Sequence, residues 1–161
     1  MNMRPAGVSG NVTATTISGD GVYVGGNVET PGGDFQAFQW SLAGKTPLVA
    51  PEYPDSRASA VSAAGGITVG TAGFPESGWW NAYFCFGTCS PFWPPRPRQQ
   101  ALRFGNAAGI ELLADAAGYY GSEAVDVSRA GTTLVNGQAG SLYLPIDEPL
   151  LWKPDGSVAP L

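Results

Sequence analysis

The stretch TATTISGDGVYVGG, residues 13–26, decides how the rest of the chain is read. Alternation over Val22-Tyr23-Val24 sends every second side chain to one face of an extended strand. The Gly-Asp-Gly before it supplies positive-φ residues of the kind a tight hairpin needs. The pattern returns as RASAVSAAGGITVG over 57–70 and as EAVDVSRAGTTLVNG over 123–137. Ala14, Ala58 and Ala124 each stand three residues before Ile17, Val61 and Val127, and Ser18, Ser62 and Ser128 follow at once. Gly21, Gly65 and Gly131 lie four residues after the same anchors. Repetition at a fixed register outranks any local reading.

The second half of the pattern repeats as well. QAFQWSLAGKTPLVAP (36–51), QALRFGNAAGIELLAD (100–115) and EPLLWKPDGSVAPL (148–161) each place an aromatic, then a glycine, then a strand. The aromatics are Trp40, Phe104 and Trp152, which should fill one recurring core slot; the glycines are Gly44, Gly109 and Gly156. AAGIELLADAAG reads as a helix in isolation. Its counterparts KTPLVAP and DGSVAPL are interrupted by proline, so it is read as a strand. Each copy thus predicts four short strands, and the chain an all-β domain of three four-stranded antiparallel repeats, about 11–51, 56–115 and 122–161. Such repeats resemble β-propeller blades, with a β-sandwich or barrel as the alternative. Ordinary propellers close with four blades or more, so three imply association with another copy or another chain, a longer parent, or a different stacking.

Composition fits this reading. Of 161 residues, 43% are hydrophobic and 13% charged, with 23 glycines and 14 prolines, the balance of many short strands joined by many turns. The formal charge of −5 repels phosphate, which argues against nucleic-acid binding. No window approaches 18 apolar residues, so no membrane span is expected. The opening MNMRPAGVSGN carries Arg4 but no apolar run, so it does not read as a signal peptide.

Copies one and two are 44 residues apart and copies two and three 66, measured from Ile17 to Val61 to Val127. The surplus falls in an insertion at about 73–100 that contains FCFGTCSPFWPP (84–95) and both cysteines. Insertions within repeats map to loops, often on the working face. Trp79, Trp80, Tyr83, Phe84, Phe86, Phe92 and Trp93 are rigid rings suited to interface anchors or to stacking on sugars. Arg96 and Arg98 add the only cluster of positive charge, and Pro91, Pro94, Pro95 and Pro97 stiffen the exit. Such a loop either buries against a partner or folds back on its own chain, since it cannot stay wet without a large apolar patch. Cys85 and Cys89 either close a small disulfide loop or remain free thiols; two cysteines with no histidine cannot build a zinc site.

Catalytic signals are weak. With no histidine in the chain, no Ser-His or Cys-His dyad exists. The carboxylates Asp147-Glu148 and Glu123/Asp126 could in principle serve a glycosidase, but read more simply as a solvated turn and a strand edge. Asp20, Asp34 and Asp155 lie in glycine-rich turns without the spacing of a calcium loop. No cofactor or metal is expected. Asn11-Val12-Thr13 is a glycosylation sequon.

The alanine, the [IV]-S pair, the glycine, the valine-rich strand and then AFQW with a glycine turn resemble the HAF repeat family. The match is best in ATTISGDGVYVGG and QAFQWSLAGKTPL, and looser where AFQW becomes ALRF and PLLW. It covers about 110 residues and excludes the insertion. HAF repeats occur in bacterial extracellular and surface proteins, so the resemblance implies an extracellular or cell-surface, non-catalytic β-repeat protein. Such a protein would act in binding or assembly through the aromatic loop. Its partners would be protein subunits, of the same or another chain, with a glycan as the other option. A virion component such as a phage capsid decoration or tail protein is the rival reading, and a carbohydrate-active hydrolase the third.

Overall fold

Four strands, each hairpin-connected to the next, recur three times along the chain. The computed structural model describes residues 10–42, 44–48, 55–73, 99–105, 109–113, 119–141 and 144–161. The first sheet holds β1 (Val12–Ile17), β2 (Val24–Glu29), β3 (Phe35–Ser41) and β4 (Gly44–Pro47) in that order. The second holds β5 (Asp55–Val61), β6 (Ile67–Gly73), β7 (Gln99–Gly105) and β8 (Gly109–Leu112), and the third β9 (Tyr119–Val127), β10 (Thr133–Ser141), β11 (Leu144–Trp152) and β12 (Val158–Pro160). Every pairing is antiparallel, none of the sheets closes on itself, and no helix occurs among the described residues. This is the all-β chain of three four-stranded repeats that the sequence predicts. The segment that mimics a helix contributes strand β8.

The repeated serines and glycines build the first turn of each sheet. Ser18, Ser62 and Ser128 accept a backbone N–H bond from Gly21, Gly65 and Gly131. Their own N–H groups donate across the hairpin to Tyr23, Ile67 and Thr132. Their side-chain oxygens accept the N–H of those same three residues, at 2.9, 3.2 and 3.0 Å. The three glycines sit at φ +72°, +68° and +88°, in the left-handed region that a side chain resists. In the first turn the Ser18 hydroxyl and the Val22 N–H also donate to Asp20, holding its carboxyl below the usual range. Asp155 is lowered in the same way, by the Ser157 hydroxyl and N–H.

Each innermost strand carries a bulge at the same place. The register skips a residue between Ala14 and Thr16, between Ala58 and Ala60, and between the partners of Leu134 and Val135, so that Thr15, Ser59 and Val125 are left out of their ladders. A bulge bends the strand and raises its twist. The three stand at equivalent positions of the three repeats.

The sheets stack in chain order, β5 against β1, β2 and β3, and β9 against β5, β6 and β7. Ala37, Leu48, Ala58, Ala72, Leu102 and Phe104 make the core between the first and second sheets. Ala60, Val69, Ala101, Leu113, Val127, Val135 and Trp152 belong to the core between the second and third. In each junction Leu48 or Leu113, on the front sheet, meets Phe104 or Trp152 on the sheet behind. Trp40 stands at the equivalent position of the first sheet, yet it is only half-buried. Among the described residues no sheet lies in front of it. The shared aromatic slot is therefore filled in two repeats and left partly open in the first.

Polar staples recur across both junctions. The Ala37 N–H donates to Ser56 Oγ at 3.0 Å, and the Ala101 N–H to Ser122 Oγ at 3.0 Å. Both serines are buried on innermost strands, and a buried N–H left without a partner costs about 1–3 kcal/mol. Gln39 donates to Gly65 O and Thr68 Oγ1 of the sheet behind. Its counterpart Arg103 lies 4.0 Å over the Trp152 ring and donates to Lys153 O.

Candidate functional site

The residues singled out in the insertion, Trp79, Trp80, Tyr83, Phe84, Phe86, Phe92, Trp93, Arg96 and Arg98, lie outside the described residues. So do Cys85 and Cys89. What the structure describes is their anchorage. β6 and β7 pair over seven rungs, from Ile67↔Gly105 to Gly73↔Gln99, so residues 74–98 are carried between the last pair of a regular ladder.

That last pair borders a polar cleft of about 220 Å³. Its walls come from all three sheets: Asn27 on β2, Asp55, Arg57 and Ser59 on β5, Thr71 and Gly73 on β6, Gln99 on β7 and Glu123 on β9. The innermost strand of the second sheet supplies the floor because its front face packs on the first sheet and its rear neighbours reach the third. Asn27 Oδ1 accepts the Ala58 N–H at 2.8 Å, which fixes the side chain across the junction and leaves its amide NH₂ as a donor. Asp55 Oδ1 accepts the Phe35 N–H at 3.1 Å and lies 3.9 Å from Arg57 Nε. The Arg57 guanidinium sits 4.4 Å over the Phe35 ring, an arrangement that orients it without neutralising it. Thr71 Oγ1 is buried beside this group with no hydrogen-bond partner among the described residues.

A guanidinium, two carboxylates, two amides and two hydroxyls offer donors and acceptors within a small volume, a set that suits a polar ligand. A nucleophile paired with a base is not among them. The two carboxylate pairs weighed from the sequence are placed differently. Glu123 borders the cleft, whereas Asp126 lies beyond the bulge at Val125; Glu148 accepts the Tyr119 hydroxyl at 2.6 Å, which raises the Tyr119 pKa. No group of three or more acid, cysteine or histidine side chains able to hold a metal occurs among the described residues. No helix there is long and apolar enough to cross a membrane.

Sequence reasoning missed Asn27, Asp55, Arg57, Thr71 and Gln99. A signal was present in part. Thr13, Arg57 and Glu123 hold one ladder position, opposite Asn27, Thr71 and Asn136, and change type from repeat to repeat. A repeat position that keeps its place but not its chemistry is where function is expected to differ from scaffold.

Neither a family model nor a curated protein matches this chain.

Proposed function

We propose that this is a non-catalytic binding protein of the extracellular or cell-surface kind, built on HAF-like repeats and engaging its partner through the aromatic insertion. One observation supports this above the others: Gly73 and Gln99, which carry the insertion, also border the cleft of Asp55, Arg57 and Glu123. Aromatic anchors next to fixed polar groups are the usual make-up of a recognition surface, rings giving contact area and polar groups giving orientation. The partner is a protein subunit, with a glycan as the second ligand class. A disulfide between Cys85 and Cys89 would hold the tip in one shape and lower the entropy lost on binding.

The test compares the intact chain with a variant in which Gly73 is joined to Gln99 through Asn-Gly, a two-residue hairpin turn. Both are screened against immobilised glycans and purified cell-surface proteins. The expected result is binding by the intact chain, loss in the shortened one, and unchanged thermal unfolding. Equal binding by both, or no binding by either, overturns the proposal. Thiol alkylation with and without reductant reads the cysteines in the same samples.

A further inference from the structure

The polar groups of the cleft are each held by one atom and keep another to spare. Asn27 is fixed through Oδ1 and keeps its NH₂. Asp55 is fixed through Oδ1, and its Oδ2 accepts no hydrogen bond among the described residues. That oxygen has room because residue 73 is a glycine: a Cβ there would lie 3.3 Å from it. The Arg57 guanidinium is steadied by the Phe35 ring and keeps its terminal N–H groups. Glu123 is exposed and makes no ion pair among the described residues. Thr71, also in the wall, is only 7% exposed, and its hydroxyl has no partner there.

Charge and size narrow what these spare atoms fit. An anion would meet two carboxylates and one guanidinium, which Asp55 and Phe35 already engage. A cation would meet that same exposed guanidinium in the wall. A neutral molecule with several hydroxyls suits both kinds of group, since each hydroxyl donates and accepts. Pockets for drug-sized ligands run to about 300–1,000 Å³, so a cleft of about 220 Å³ takes a single small ring. Thr71 points the same way independently. A buried hydroxyl without a partner is destabilising, and a ligand hydroxyl is a partner of the right kind.

We propose that the cleft binds one ring of a neutral carbohydrate. Asp55 and Glu123 accept from its hydroxyls, Asn27 and Arg57 donate to them, and Thr71 gains the partner it lacks. The site uses none of residues 74–98, so it is a second site beside the one proposed for the insertion. A ring of about a dozen heavy atoms binds in the millimolar range at ordinary ligand efficiency. Contact that weak is lost in the washes of an immobilised screen, so the screen described above reads the insertion and not the cleft.

Backbone-amide NMR of the intact chain tests it, with glucose, galactose, mannose and N-acetylglucosamine each added to tens of millimolar. At least one of the four shifts the amides of Thr71, Gly73 and Gln99 saturably, and arginine and glucuronate do not. Thr71→Val and Glu123→Ala each weaken that sugar by about tenfold. Neither lowers the unfolding temperature, because Glu123 is exposed and valine replaces a hydroxyl without a partner. The methyl glycoside separates two sources of the ring. Binding equal to that of the free sugar assigns it to the end of a glycan, and binding of the free sugar alone to a monosaccharide; either supports the proposal. Four sugars that leave those amides unmoved overturn it, as does a shift by arginine or glucuronate alone. Unchanged affinity in either variant puts the sugar elsewhere and also overturns it. A failed screen with sugar binding retained removes the insertion reading instead.

Discussion

At the scale of single residues, the junctions between sheets depend on a few polar atoms as much as on apolar area. Ser122 Oγ is the acceptor for the Ala101 N–H, in a site where Ala101 and Ala124 are fully buried. Ser122→Ala leaves that N–H without a partner and should cost about 1–3 kcal/mol in urea unfolding, with little change in the slope. Ser122→Thr, which keeps an acceptor, should recover part of the loss. Equal stability of Ser122→Ala and the parent would show that the staple contributes nothing net. The exposed Ser157 provides the control, since its hydroxyl serves a solvated turn and its removal should lie within about 0.5 kcal/mol.

At the scale of elements, the hairpin turn is both a local and a tertiary device. Gly65 needs its positive φ for the turn and its missing Cβ for the Tyr23 ring above it. Gly156, at φ +84°, has only the first need, because nothing lies within 4 Å of the added carbon. Gly65→Ala should therefore destabilise by clearly more than the roughly 1–2 kcal/mol of backbone strain expected for Gly156→Ala. Thermal unfolding of the two variants side by side decides it, and equal losses would mean that Tyr23 moves aside freely. These turns also mark how far the chain could be read without coordinates. Ser18, Ser62 and Ser128 and their glycines were legible because turn chemistry is local and repeats three times. The half-burial of Trp40 was not, since its residue type and register match Phe104 and Trp152 and only the missing neighbour differs. The cleft was illegible for a related reason: Asn27, Arg57 and Glu123 come together through stacking of sheets, which no spacing along the chain encodes.

At the scale of the whole molecule, protection should be unequal. Among the described residues the second sheet alone has a sheet on both faces, the first in front and the third behind. Opening energies in stacked repeats follow the interfaces each unit makes. Amide exchange should therefore be slowest in β6 and β7, away from Gly73 and Gln99, and faster in the β1–β2 and β11–β12 hairpins. Uniform protection across the three sheets would contradict this order.

Val12 holds the ladder position of Ser56 and Ser122, and Pro149 that of Ala37 and Ala101, which has a consequence for how such a protein can be rebuilt. The three repeats are not interchangeable beads. A gene rearranged to place the third repeat ahead of the second would set the Pro149 ring where Ser56 expects an N–H. The order third, second, first would also set Val12 beneath an unpaired Ala101 N–H. The order of the repeats is thus written in which of them can donate and which can accept. Orders that break a staple in this way should be less stable by about 1–3 kcal/mol for each orphaned group, even though every repeat is still present.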